Sequence, residues 1–136
     1  MDLTMKGRMK VNPDQPAIMF DFKKSRIRIH KNTLRALNNP AYLLLLINPI
    51  DRLIAVRAND GTDARAHRVG IRASKNKSFE IYSMALLDKL RLCSEWDEKQ
   101  SYRILGNRIE EQDLVQFKIC DSFKFVGNQD GAEEVV

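Results

Sequence analysis

One order of short segments occurs twice along the chain, and it limits the folds that the chain can adopt. In each copy a strand-like segment is followed by a short helix-like segment and then by two further strand-like segments. Ile27 and Ile29 in the first copy correspond to Phe79 and Ile81 in the second, at the same spacing. Alternation with period two is typical of strands. The sequence therefore predicts an α+β protein in which two βαββ-like units form one small sheet or barrel core.

The first copy begins with two strands around a tight turn. The segment AIMFDF at 17–22 alternates, KKS at 23–25 forms the turn, and RIRIH at 26–30 returns. Asn32 or Thr33 is expected to cap the helix that follows, because their side chains can accept hydrogen bonds from its first amides.

A hairpin completes this copy. YLLLLI at 42–47 and RLIAVRA at 52–58 flank a turn at 48–51, where Pro49 suits the second turn position. The strand at 42–47 is apolar on both faces, which predicts burial on both sides, inside the domain or at a subunit interface.

The second copy has a longer helix. SFEIY at 78–82 precedes Ser83, which is expected to cap a helix that runs to about Trp96. Strands are predicted at SYRIL, 101–105, and at LVQFKIC, 114–120. Five segments follow from these patterns: a flexible basic arm at 1–16, a basic strand-helix-hairpin unit at 17–60, a basic connector at 61–77, an acidic strand-helix-hairpin unit at 78–121 and a flexible tail at 122–136.

Charge is divided unevenly between the two copies. Residues 1–77 hold 16 Lys and Arg against 6 Asp, a net of +10, and residues 78–136 hold 7 against 12 acidic residues, a net of −5. Together they give the net charge of +5. Such asymmetry indicates a polyanionic partner for the basic half, and solvated basic surface is the alternative.

Arginines on one face of the second strand are the sharpest feature of the basic half. Arg26, Arg28 and His30 alternate with Ile27 and Ile29. Arginine pairs with guanine edges or with phosphate, although an exposed sheet face is commonly polar without any ligand.

We predict that Arg26 and Arg28 contact base edges and that neighbouring cations contact phosphates. A basic connector can add affinity that does not depend on sequence. The predicted nucleic-acid-binding residues are Lys23, Lys24, Arg26, Arg28, Lys31, Arg35, Arg65, Arg68 and Arg72.

No grouping of residues predicts catalysis, a metal site or a cofactor. His30 and His67 have no ligand partners at metal spacing. Cys93 and Cys120 lie in apolar patterns, which predicts reduced, buried thiols. Glycines form no phosphate-binding loop, and Trp96 is expected to cover the core. We predict a protein that is not an enzyme.

No apolar run is long enough to span a membrane, and no apolar segment follows the basic N-terminus as in a signal peptide. A cytoplasmic protein is expected.

The stretch IMFDFKKSRIRIHKNTLRAL, followed by a hairpin, resembles the AbrB and MraZ swapped-hairpin transcription factors. Asp21, Lys23 and Arg26 approximate the acidic-basic-arginine turn of that family, although Ser25 replaces its glycine and the second copy lacks the signature. The resemblance implies a strand-swapped homodimer or larger homo-oligomer that binds double-stranded DNA through the first unit.

The predicted function is that of a DNA-binding transcriptional regulator. Two alternatives stay open at this point. A single-stranded nucleic-acid-binding protein would normally add exposed aromatic residues, whereas Phe20, Phe22, Tyr42, Phe79 and Tyr82 are all interpreted as core or interface residues. A protein-interaction module without nucleic acid would use the apolar strand and the acidic half.

Overall fold

The computed structural model of the chain describes residues 12–69 and 77–125. Its first half contains five strands and a helix: β1 (Ala17–Asp21), β2 (Arg26–Ile29), α1 (Lys31–Ala36), β3 (Tyr42–Asn48), β4 (Leu53–Asn59) and β5 (His67–Arg68). Its second half contains a further five strands and a helix: β6 (Phe79–Tyr82), α2 (Met84–Leu92), β7 (Ser101–Leu105), β8 (Asn107–Ile109), β9 (Leu114–Lys118) and β10 (Phe123–Lys124). Short 3-10 turns follow β8 and β9 at Glu110–Gln112 and Ile119–Asp121.

The strands form two antiparallel sheets of five strands each. Sheet A has the order β10-β7-β1-β2-β6, and sheet B has the order β5-β3-β4-β9-β8. The predicted α+β class is confirmed. Exchange of the β1–β2 hairpin between subunits stays a prediction.

A single core fills the space between the sheets. Phe20 and Ile27 of sheet A and Ile54 and Phe117 of sheet B have no solvent exposure and belong to one hydrophobic cluster. Trp96 covers this core as predicted, and its ring stacks on Tyr102 with 4.8 Å between centroids.

Strand β3 is apolar on both faces, and both faces are buried at its start. Leu43 is fully buried and Leu44 is 6% exposed, although they point to opposite sides of sheet B. The predicted two-sided burial is therefore achieved within the chain at these positions.

The N-cap predicted for the first helix is wrong. His30 caps α1, and its Nδ1 accepts a hydrogen bond from the Asn32 amide at 3.1 Å. Asn32 and Thr33 lie within the first turn of the helix. The Asn32 side chain donates to carbonyls of the segment before β1, and Thr33 contacts the first residue of β1. The Thr33 hydroxyl accepts from the Ala17 amide at 3.0 Å and donates to the Ala17 carbonyl at 2.9 Å.

Helix α2 begins as predicted and ends earlier. Ser83 is its N-cap, with its hydroxyl accepting from the Leu86 amide at 3.2 Å. The helix ends at Leu92, four residues before the predicted end at Trp96. The Ser94 hydroxyl donates to the Leu90 carbonyl at 2.8 Å, and such local bonds compete with helix continuation.

The predicted burial of both cysteines is also wrong. Cys93 is partly exposed and Cys120 is exposed. Burial still alternates from Phe117 to Cys120, so Ile119 is buried at the start of the 3-10 turn and Cys120, like Lys118, faces solvent.

The segment interpreted as a tail starts with a strand. Phe123 and Lys124 of β10 pair with Arg103 and Tyr102 of β7 and form one edge of sheet A. This pairing places Phe123 on the same face of sheet A as Arg103 and Arg28.

Candidate nucleic-acid interface

The side of sheet A that faces away from the core carries the charged residues, and we call it the outer face. One row of directly paired residues crosses all five strands in the order Phe123, Arg103, Met19, Arg28 and Glu80. Paired residues in antiparallel strands point to the same side of a sheet. Two arginines therefore flank Met19, which is only 8% exposed beneath them.

The acidic residues of this face neutralise part of its charge. Arg26 contacts Asp21 at 3.0 Å and Glu80 at 3.4 Å, and Arg28 contacts Glu80 at 2.7 Å. Burial acts to raise the pKa of Glu80, but hydrogen bonds from Arg28 and Tyr82 and the arginine charges outweigh it, so the pKa is lowered.

The two arginines differ in how much of each side chain solvent reaches. The Arg26 side chain is 16% exposed, whereas that of Arg28 is 38% exposed. The Arg26 side chain is therefore largely occupied by ion pairs within sheet A, whereas part of the Arg28 side chain stays accessible to solvent.

A cleft of about 320 Å³ lies over Met19 between Arg28 and Arg103. Its lining consists of Ala17, Ile18, Met19, Arg28, His30, Lys31, Ser78, Arg103 and Phe125. The guanidinium of Arg103 lies 5.6 Å from the centre of the Phe125 ring, which fits a cation–π contact. Burial lowers the pKa of Arg103. Within residues 12–69 and 77–125, neither Arg103 nor Lys31 takes part in a salt bridge.

His30 lies at the end of the cleft, and its environment keeps it neutral. Burial and, after it, the charges of Arg103, Lys31, Arg35 and Arg28 together lower its pKa from 6.5 to about 4. Its Nδ1 accepts the helix-capping hydrogen bond, so the neutral ring carries its proton on Nε2. His30 can therefore donate a hydrogen bond to an anion without first being protonated.

Aromatic side chains stand at both edges of the outer face. Tyr82 on β6 is 65% exposed, and Phe123 on β10 is 46% exposed. Tyr82 is therefore not a core residue of this chain, and its place in an interface between subunits stays a prediction. Glu80 faces outward with Arg28, and side chains two residues apart on a strand share a face, so Tyr82 stands beside the arginines.

The other predicted contact residues are dispersed. Lys23 and Lys24 are exposed in the β1–β2 turn, where Asp21 accepts hydrogen bonds from both of their amides. Arg35 is exposed on α1 and donates to the Asn32 side chain at 2.8 Å.

The two connector residues that the structure describes, Arg65 and Arg68, do not join this face. Arg65 pairs with Asp63 at 2.8 Å, and Arg68 lies on β5 at the edge of sheet B. Arg72 lies outside the described residues.

Sequence reasoning did not include Arg103, Phe123 and Phe125 among the candidates. The alternation of SYRIL placed Arg103 opposite the core residues Tyr102 and Ile104, which was the available signal. The charge asymmetry indicates a site in the first half of the chain, whereas β1 pairs with β7 of the second half.

The described part of the chain contains no group of three or more His, Cys, Asp or Glu side chains placed to hold a metal ion. None of its helices combines the length and apolar character that crossing a membrane requires.

No protein-family model, curated protein or solved structure matches this chain.

Proposed function

We propose that this protein binds single-stranded nucleic acid across the outer face of sheet A. The observation that carries the proposal is the row Phe123, Arg103, Met19, Arg28 and Glu80, with Tyr82 beside it. Cations on this row lie between exposed aromatic side chains. That combination fits a strand whose phosphates meet arginines while its bases stack on aromatic rings.

Most of the affinity comes from cations that have no acidic partner among the described residues. Arg103 and Lys31 form no salt bridge among the described residues, and Arg28 shares Glu80 with Arg26. Each contact to a phosphate releases condensed counterions, which makes the binding sensitive to salt.

The position of the β1–β2 hairpin favours a single strand over a duplex. The major groove admits a two-stranded ribbon, whereas here β7 and β6 flank the hairpin on both sides. Five strands at about 4.8 Å each form a face too wide to enter a groove about 12 Å wide. A sheet face of this kind suits bases that are already unstacked.

Duplex binding by a transcriptional regulator is the second candidate. The observation in its favour is the tip of the β1–β2 hairpin, where Lys23 and Lys24 are both exposed. The resemblance of this hairpin to the AbrB and MraZ turn adds to it. In this mode the lysines would contact phosphates, and Arg26 would stabilise the turn through Asp21.

A competition experiment separates the two candidates. A fluorescently labelled single strand bound to the protein is displaced by unlabelled single strand or by duplex of the same sequence. We expect single strand to compete at least tenfold better, because stacking is worth about 1 to 3 kcal/mol per base. Better competition by duplex would favour the regulator, and no binding of either at low salt would contradict both candidates.

A further inference from the structure

The cleft between Arg28 and Arg103 carries more positive charge than the phosphate of one internal nucleotide can neutralise. Arg28, Lys31 and Arg103 line it, and no carboxylate does among the described residues. Glu80 offsets one of the three positive charges through Arg28, which leaves about two uncompensated. A phosphodiester within a strand carries one negative charge, whereas a phosphomonoester carries about 1.5 to 2 at pH 7.

The donors of the cleft come from neighbouring strands. Arg28 and Arg103 both pair with Met19, so their Cα atoms are separated by two strand spacings, about 10 Å. Arginine side chains attached at that separation are long enough for both guanidinium groups to reach one phosphate from opposite sides. His30 adds an Nε2–H donor, since its Nδ1 is occupied by the helix cap.

The floor and one wall of the cleft are apolar. Ala17 and Met19 form its base, and Phe125 lies against Arg103. A volume of about 320 Å³ lies at the small end of the range for ligand sites. The first or last nucleotide of a strand can enter such a cleft, whereas an internal nucleotide brings chain with it on both sides.

We propose that this cleft binds the terminal phosphomonoester of a nucleic-acid strand. This inference rests on the proposed function and assigns its direction: the strand end lies between Arg28 and Arg103, and the following bases cross the outer face. A free mononucleotide carries the same phosphate chemistry, so the test distinguishes it from a strand end.

The test measures fluorescence anisotropy with internally labelled single strands that differ only at their ends. The strands carry a 5′ phosphate, a 3′ phosphate or hydroxyls at both ends. We expect one of the phosphorylated strands to bind about tenfold more tightly than the hydroxyl strand, the size expected of charge-assisted hydrogen bonds. Equal binding of all three strands would overturn the inference and leave the proposed function intact, whereas no binding of any strand would overturn both.

Two variants locate the preference. Arg103→Met keeps an unbranched side chain beside Phe125 and removes the charge, and Lys31→Met does the same at the start of α1. Either variant should weaken binding of the phosphorylated strand more than that of the hydroxyl strand and so reduce the preference to less than threefold. Arg57→Met, on the exposed side of sheet B, is the control and should leave the preference unchanged. An equal loss in the control would overturn the assignment to the cleft.

Competition by adenosine 5′-monophosphate, with adenosine as its control, distinguishes the source of the phosphate. We expect the mononucleotide to displace the phosphorylated strand only at concentrations far above the strand's own dissociation constant. Equal affinity of mononucleotide and strand would overturn the assignment to a strand end.

Discussion

At the residue scale, His30 links the stability of the fold to pH. Its pKa is lowered from 6.5 to about 4 by burial and by the neighbouring cations Arg103, Lys31, Arg35 and Arg28. Between these values the unfolded chain binds a proton at His30 that the folded protein does not. The free energy of unfolding therefore falls as pH drops from 6.5 towards 4 and is fully retained above 6.5.

The variant His30→Asn tests this linkage. Asparagine also caps helices and does not titrate, so the variant should match the parent protein at pH 7.5. At pH 4.5 the free energy of unfolding of the parent should fall by about 1 to 2 kcal/mol more than that of the variant. The expected difference is this small because the ring is partly exposed. Urea unfolding at both pH values measures this difference, and parallel losses would contradict the account. His67, whose pKa burial also lowers, contributes equally to both proteins.

Residue-scale geometry also explains what the sequence could not predict about the arginines. The alternation of RIRIH correctly predicted which face Arg26 and Arg28 occupy. It could not predict that β6 pairs with β2 and places Glu80 directly opposite Arg28. Local sequence patterns do not encode the pairing of distant strands. That pairing decides which arginine side chain stays accessible to solvent.

At the element scale, α1 is attached to β1 by one buried hydroxyl. Thr33 has no solvent exposure, and its hydroxyl accepts from the Ala17 amide and donates to the Ala17 carbonyl, which also accepts from the His30 amide at 3.1 Å. Thr33→Val should lower the free energy of unfolding by about 1 to 3 kcal/mol, because it leaves the buried Ala17 amide without its partner. Thr33→Ser keeps the hydroxyl and should lower the free energy of unfolding by less. Chemical denaturation compares the two variants, and equal losses would show that the hydroxyl is not responsible.

The edge strands β6 and β10 carry the aromatic side chains that the proposed function requires. Tyr82→Ala and Phe123→Ala should each weaken single-strand binding by about 1 to 3 kcal/mol, the usual value of stacking on one base. Ile50→Ala is the control, because Ile50 is 89% exposed in the β3–β4 turn of sheet B. Anisotropy titrations measure all three, and unchanged affinity in both aromatic variants would contradict base stacking on this face.

Between β7 and β8, the backbone at Gly106 lies close to the core. A Cβ atom at Gly106 would lie 2.5 Å from the Phe117 ring and 2.8 Å from the Gln116 carbonyl oxygen. Gly106→Ala should therefore destabilise the fold by about 1 to 3 kcal/mol through overpacking. Leu105→Ala, at the neighbouring and partly exposed position, is the control and should cost less. Thermal unfolding of both variants checks the expected order, and the reverse order would contradict it.

At the scale of the whole molecule, the sequence predicted the element types better than their assembly. The alternating segments at 17–22, 26–30 and 101–105 form strands, and the helices lie where the leucine spacing indicated them. The patterns could not predict that β7 of the second half pairs with β1 of the first, because that contact joins residues far apart in the chain. For the same reason, Arg103 and Phe125 could be assigned to the site only from the fold.

Self-association is a separate prediction at this scale. The resemblance to swapped-hairpin proteins leads us to expect a homodimer or larger assembly of the 15.7 kDa chain. Light scattering after size-exclusion chromatography measures the mass directly. A mass of one chain at micromolar concentration would contradict this prediction and would leave the proposed nucleic-acid face unaffected.

The measurement that tests the central claim most directly is an NMR titration of the ¹⁵N-labelled protein with a short unlabelled single strand. We expect the largest amide shifts on the outer face of sheet A, at Arg28, Tyr82, Arg103 and Phe123, and little change at Arg57 on sheet B. Shifts confined to sheet B, or no shifts at low salt, would contradict the claim that this face binds nucleic acid.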